Sequence, residues 1–202
     1  MTDLVLVRHG ETEWNRLGRV QGRTDIPLND TGREQAAAAG QRLRDAGLDA
    51  VTASPLSRAA ETARIIAAAL GLDGVETVDD LVERDYGDAE GMDGEQIQAR
   101  FGGPLVARET REETVERVLP ALLGIAERHP DGRVLVVSHG GVIGSLIRHA
   151  TRWAWPEHGE RIENGSDHVF RVEDGELTLV SSAGRPWSAD LLPPEDAVVA
   201  RD

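Results

Sequence analysis

Two stretches decide how this chain is read: Leu4-Val-Leu-Val-Arg8-His9-Gly10 and Val134-Leu-Val-Val-Ser138-His139-Gly140. Each is a continuous apolar run that ends in a histidine followed by a glycine. A run without polar alternation is what a strand buried on both faces requires. In open α/β sheets, ligands bind beyond the carboxyl ends of the parallel strands. Both imidazoles therefore belong at the functional edge, although most of the chain separates them. Gly10 lets backbone come close to a ligand, and Gly140-Gly141 precedes a helical pattern whose free N–H groups favour an anion.

Working outward, strand and helix patterns alternate. Thr31-Gly-Arg-Glu34 reads as a capping box, with Thr31 as N-cap, opening a helix that ends near Gly47. Residues 49–54 read as a short strand, 57–70 as a helix closed by Gly71, and 75–78 as a short strand. The 81–110 stretch is irregular, with one short helix around 96–101. Thr110-Arg-Glu-Glu113 opens a helix to about His129, and Pro120 inside it should bend it. Residues 133–138 form a third buried strand and 141–151 a helix. Residues 167–172 and 176–181 flank Asp174-Gly175, a hairpin signal. This order predicts an α/β fold: a three-layer sandwich with a mostly parallel central sheet, helices on both faces and one antiparallel edge strand. Residues 1–186 form a single catalytic domain in this reading, and 187–202, with Pro193-Pro194, a C-terminal tail.

Composition narrows the function. The 202 residues carry 36 acids against 22 bases, a formal net charge of −14. Such a field opposes nucleic acid and anionic membrane as partners, but not a small anion held by a few focused cations. There is no cysteine, which excludes disulfides, thiolate metal sites and cysteine nucleophiles. Every base is arginine, which excludes a P-loop lysine and a Schiff base. With aromatics at 3%, the core must be built from Ala, Val, Leu and Ile. No apolar run is long enough to span a bilayer and the start lacks a leader pattern, so a cytoplasmic protein is expected.

Arg8 adjoins His9, and Arg58 follows the second strand in Ala53-Ser-Pro-Leu-Ser-Arg58. Two guanidinium forks at strand ends match the geometry of a phosphate and oppose a metal at the histidines. These residues, with Leu6-Val-Arg-His-Gly-Glu-Thr-Glu-Trp-Asn15, Gly18-Arg-Val-Gln-Gly22, Asp25-Ile-Pro-Leu28, Leu81-Val-Glu83-Arg-Asp-Tyr-Gly87 and Glu90-Gly91, resemble the histidine phosphatase superfamily. The likeness covers roughly residues 3 to 185.

The resemblance implies that His9 attacks phosphorus and carries a phosphohistidine, with Arg8, Arg58 and His139 stabilising the phosphoryl oxygens. It implies that Glu83 protonates the leaving oxygen, with Glu11, Glu13 and Glu90 as competitors for that role. Asn15, Gln21, Gly22 and Gly140 match pocket positions, and Arg84 and Tyr86 fall where the leaving group would sit, with Met92 and Phe101 as further candidates. The activity implied is a metal-independent phosphomonoester phosphatase acting on a small phosphorylated metabolite, with no cofactor. The alternatives are a phosphoglycerate mutase, which alone would need 2,3-bisphosphoglycerate, and a non-catalytic phosphate-binding module. The short stretch between Glu83 and His139 favours the phosphatase. In a mutase, Arg84, Arg108 and Arg111 would have to hold a second acidic end of the substrate. Family members are often dimers, so a homodimer is among the assemblies the resemblance allows.

Overall fold

The computed structural model describes residues 1–156 and 160–188. Its centre is β1 (Thr2–Arg8), flanked by β4 (Arg133–Ser138) on one side and β5 (Asp167–Glu173) on the other. Outward from β4 lie β2 (Ala50–Ala53) and β3 (Glu76–Thr77). Outward from β5 lie β6 (Glu176–Ser182) and β7 (Arg185–Pro186). The order β3-β2-β4-β1-β5-β6-β7 is parallel from β3 to β1, and the β1–β5, β5–β6 and β6–β7 pairings are antiparallel. The antiparallel edge is thus three strands wide rather than the one expected. Asp174 and Gly175, both at positive φ (51° and 81°), make the predicted hairpin turn.

Successive side chains on the buried strands pack into two separate cores, which is why neither strand alternates with polar residues. Leu4, Leu6, Val134 and Val136 face one way, against α5 (Arg111–Arg128) and α6 (Gly140–Ala150) through Val118, Leu122, Ile143 and Leu146. Val5, Val7, Leu135 and Val137 face the other way, toward α2 (Asp30–Arg42) and α3 (Ser57–Leu70) through Ala39, Ala63 and Ile66. The aliphatic core follows from the composition, and its small alanines let α2 and α3 pack closely: Gly40 lies against Ala69 and Ile66. Each fully buried Leu or Ile contributes roughly 1.5–3 kcal/mol.

Helix starts are governed by side chains. Thr110 and Glu113 form the predicted capping box of α5, and Asp93 with Gln96 forms another at α4 (Gly94–Phe101). A third, Thr12 with Asn15, opens the short α1 (Glu13–Arg16). At α2 the cap is Asn29, not Thr31: its Oδ1 accepts from Gly32 N at 2.8 Å, and the helix begins at Asp30. The helix also stops at Arg42, ahead of Gly47. The helix α5 runs unbroken through Pro120. The carbonyl of Glu116, four residues earlier, lies on an exposed face where water can satisfy it. Trp187, which the sequence reading placed in the tail, stacks on Trp155 at 5.5 Å. The rest of that tail from 189 on lies outside the described residues. Among the described residues, no helix is long and apolar enough to cross a membrane.

Candidate active site

Parallel pairing of β1 with β4 sets Arg8 opposite Ser138, and His9 N–H continues the ladder to the Ser138 carbonyl at 3.0 Å. Register alone therefore places His9 beside His139, with ring centroids 5.2 Å apart. Above them opens a cavity of about 420 Å³. Of the residues expected from sequence, Arg8, His9, Asn15, Gln21, Gly22 and Arg58 line it. So do Glu83, Tyr86 and Gly140.

The hydrogen bonds around His9 assign its tautomer. Nδ1 lies 2.7 Å from the Gly10 carbonyl and must donate to it, while Arg58 Nε donates to Nε2 at 3.2 Å. Nε2 therefore carries the lone pair. Burial first, then Arg58 and Arg8, holds the imidazole well below its ordinary pKa, so it is neutral. Arg58 is itself fully buried, with its terminal nitrogens anchored on the carbonyls of Thr24 and Gly22 at 2.9 and 2.8 Å. Arg8 donates to the Ile162 carbonyl, and its Nε is buried without a partner.

His139 is also fully buried and neutral, its pKa lowered by burial and then by Arg58, His9 and Arg8. Its Nε2 lies 2.8 Å from Ser54 Oγ, and its Nδ1 has no partner. With Ser54 donating to Nε2, Nδ1 carries a proton. The orphaned groups Arg8 Nε–H and His139 Nδ1–H are then donors suited to an oxyanion.

Asn15 and Gln21 become donors in the same way. Asn15 Oδ1 accepts from Thr12 N and Asn164 Nδ2 at 3.2 and 3.3 Å, and Gln21 Oε1 accepts from Thr12 Oγ1 at 2.8 Å. Both oxygens are used, so both amide groups keep their N–H donors for the cavity. Asn164 also donates to the His9 carbonyl at 2.9 Å, tying the β5 approach to the loop after β1.

Glu83 is held at the N-terminus of α6. Oε1 accepts from Arg84 N and Val142 N at 2.8 and 3.1 Å, and Oε2 from Gly141 N at 2.9 Å. Oε2 accepts one bond fewer than Oε1 and keeps an acceptor position open. The competing acids are engaged elsewhere. Glu11 accepts from Asn29, Glu13 pairs with Arg16 on the surface, and Glu90 clamps the Arg23 and Thr24 amides at 2.9 Å each.

Several sequence candidates fall outside the cavity lining. Arg84 lies behind Tyr86, 5.4 Å from its ring, and donates to the Glu109 carbonyl. Arg108 is exposed and paired with Asp85 and Asp88. Met92 does not line the cavity, and Phe101 is 49% exposed. Gly10 does approach something closely, but it is backbone rather than ligand: a Cβ there would lie 2.2 Å from the Gly32 carbonyl oxygen. The cavity also takes in Arg19, Arg111, Arg148 and Arg161, of which the site reading from sequence weighed Arg111 alone. Arg19 lies within the Gly18-Arg-Val-Gln-Gly22 stretch but was not singled out there, and no motif marks Arg148 or Arg161, which reach the cavity through α6 and a loop.

A doubly wound sheet with two neutral histidines, the fully buried Arg58 and the partly buried Arg8 at adjoining strand ends defines a class of α/β protein that gathers cationic donors around a neutral imidazole at one sheet edge. Within that class, the chain belongs to the histidine phosphatase superfamily (branch 1), whose family model matches residues 4–183. It is 45% identical over 148 residues to an uncharacterized phosphatase, PhoE, of Bacillus subtilis, an overlap of 73% of this chain and 76% of that one. It is 38% identical over 196 residues to a phosphoglycerate mutase-like protein of Arabidopsis thaliana, covering 90% and 84%. A mycobacterial glucosyl-3-phosphoglycerate phosphatase, solved with VO3, matches at a TM-score of 0.77 and 29% identity, over 88% of this chain and 96% of that one.

Proposed function

We propose that the protein is a metal-independent phosphomonoester phosphatase that works through a phosphohistidine on His9. The observation that carries this is the neutral imidazole of His9 with its Nε2 lone pair beside Arg58 at the cavity floor. Nε2 attacks phosphorus as the ester P–O bond breaks, and the leaving oxygen takes a proton from Glu83 Oε2. Water then gives a proton back to Glu83 as it attacks, the P–N bond breaks, and His9 is restored with release of phosphate. Arg8, Arg58, His139 Nδ1–H and the Asn15 and Gln21 amides serve the equatorial oxygens, a positioning and electrostatic role that needs no metal ion.

The mutase-like relative keeps a second reading in play, in which the phosphoryl group returns to a bound acid after priming by 2,3-bisphosphoglycerate. One assay separates them: phosphate release from p-nitrophenyl phosphate and 3-phosphoglycerate in EDTA, with and without the bisphosphate. Release indifferent to both additions is the expected result. Bisphosphate-dependent isomerisation with little release would make the protein a mutase. His9→Ala should abolish turnover while leaving the protein folded, and near-wild-type activity in that variant would remove His9 as the nucleophile.

A further inference from the structure

The loop after β1 turns in two peptide units, His9–Gly10 and Gly10–Glu11, and all four of their hydrogen-bonding groups are taken. The first is held at both ends by side chains. The His9 carbonyl accepts from Asn164 Nδ2 at 2.9 Å, and Gly10 N–H donates to Thr62 Oγ1 at 3.1 Å. The second bears directly on the imidazole. Its carbonyl, on Gly10, is the acceptor for His9 Nδ1–H at 2.7 Å, and its N–H, on Glu11, donates to Gln35 Oε1 at 2.8 Å.

Gln35 belongs to α2, and the sequence of that helix explains its reach. Gly32 and Gln35 stand at i and i+3, on one helix face. Gly32 lets that face come down onto the loop, since a Cβ there would lie 2.1 Å from the Glu11 carbonyl oxygen. With the helix this close, a glutamine one turn further on spans the gap to Glu11 N–H.

A trans peptide is planar, so its N–H and C=O point in opposite directions and turn only together. Holding Glu11 N–H therefore fixes the direction of the Gly10 carbonyl. Gly10 offers little resistance of its own, because a residue without a Cβ tolerates most backbone angles. If that peptide turned, His9 Nδ1–H would lose its acceptor while buried, where an unpaired donor is costly. The ring would then reorient, and Nε2 would leave its place beside Arg58. The bond to Gln35 also polarises the amide, which makes the Gly10 carbonyl a stronger acceptor as positive charge grows on the attacking imidazole.

We infer that Gln35 is a positioning residue for the reaction: through the Gly10–Glu11 peptide it holds His9 in the tautomer and orientation that present Nε2 to phosphorus. This rests on His9 as the nucleophile of the phosphatase reading.

Two substitutions separate the hydrogen bond from packing. Gln35→Met keeps the length and removes the acceptor, whereas Gln35→Glu keeps an acceptor oxygen at the same reach. With p-nitrophenyl phosphate, Gln35→Met should lower kcat/KM about 10- to 100-fold, the scale of a misplaced reacting group. Gln35→Glu should return it to within about fivefold of wild type. The inhibition constant of inorganic phosphate should stay within about threefold of wild type in Gln35→Met, because the arginines that hold the anion are untouched. The second readout is the proton on His9 Nδ1 in ¹⁵N-histidine-labelled protein at pH 7, a low-field signal assigned by its loss in His9→Ala. It should move upfield or vanish by exchange in Gln35→Met and persist in Gln35→Glu. Glu34→Met, exposed on the same helix, should alter neither rate nor signal. A packing role predicts the reverse order, with Met tolerated better than Glu. That order, or an unaltered His9 signal in Gln35→Met, overturns the inference. Should Gln35→Met fail to fold, Gln35→Ala takes its place under the same criteria. If wild type hydrolyses no ester, the phosphatase reading falls, and the His9 signal alone decides whether Gln35 positions the ring.

Discussion

Glu83 is one acid among 36, and its geometry makes a quantitative demand. Three backbone N–H groups fix its carboxyl, and Oε2 alone has an acceptor position open to the cavity. If that oxygen delivers the proton, Glu83→Gln removes the proton donor while its amide oxygen can still take the helix N–H bonds. Turnover of alkyl phosphates, whose leaving oxygens are strongly basic, should fall about 10²- to 10⁴-fold. Hydrolysis of p-nitrophenyl phosphate should fall by less than about tenfold, because that leaving group departs without protonation. A steady-state comparison of the two esters checks this, and equal losses would move the acid elsewhere. At this scale the sequence was most informative where a residue stands in a local pattern: His9, Arg58, Glu83 and His139 are each embedded in one. Asn164 and Thr62 were not visible, and Ser54 stood in a quoted motif without a role of its own. They act by reaching across the fold, as when Thr62 Oγ1 accepts from Gly10 N at 3.1 Å and donates to the Arg58 carbonyl at 2.7 Å. Arg84 misled because its neighbours in sequence line the cavity while its own side chain turns behind Tyr86.

The elements meet at contacts that leave no room for a side chain. The start of α6 receives Glu83, and a Cβ on Gly141 would lie 2.5 Å from Glu83 Oε1 and 2.8 Å from Tyr86 Oη. Both obstacles are side-chain ends, so the helix can keep its place while Glu83 is displaced. Gly141→Ala should therefore fold normally yet lose activity on alkyl phosphates by about tenfold or more, p-nitrophenyl phosphate being affected less, since proton donation is what suffers. Kinetics on the two esters with a thermal melt alongside decide it: a large drop in Tm with unchanged selectivity would mean the glycine serves packing alone. The opposite case is Gly10 against Gly32, where a Cβ on Gly10 would lie 2.2 Å from the Gly32 carbonyl oxygen, a backbone atom that cannot yield. This contact also explains why the start of α2 was misjudged. Thr31 and Glu34 fit a capping box, but the helix begins two residues earlier, with Gly32 passing under Gly10, and Asn29 supplies the cap. Local capping chemistry was legible in the sequence, whereas a docking constraint from β1 was not.

Across the whole molecule, the parallel half was legible because each of its strands feeds a helix. The width of the antiparallel edge was not, because β7 is two residues long and its pairing depends on tertiary closure. The same packing leaves three histidines buried and neutral: His9, His139 and His168, the last between Ser166 and Ser182 with a pKa pushed down by burial to about 4. Unfolded, each titrates near its ordinary value of about 6.5. Between that value and the lower folded one, the unfolded chain binds the extra proton, so stability is fully present above about pH 6.5 and is lost as pH falls. For His9 and His139 only this direction follows; for His168 the loss is about 1.4 kcal/mol per pH unit inside its window, or about 2 kcal/mol from pH 7 to pH 5. For His168 the window runs from about 6.5 down to about 4. Urea unfolding at pH 7 and pH 5 should show the combined fall, in a buffer free of phosphate so that bound anion does not stabilise the folded state. His168→Gln keeps hydrogen-bonding capacity between the two serines but cannot take up the proton on unfolding. Whatever its stability at pH 7, its loss between pH 7 and pH 5 should be smaller than wild type's by about 2 kcal/mol. An identical loss in the variant would mean that His168 is already protonated in the folded protein at pH 5, against the burial that holds it neutral.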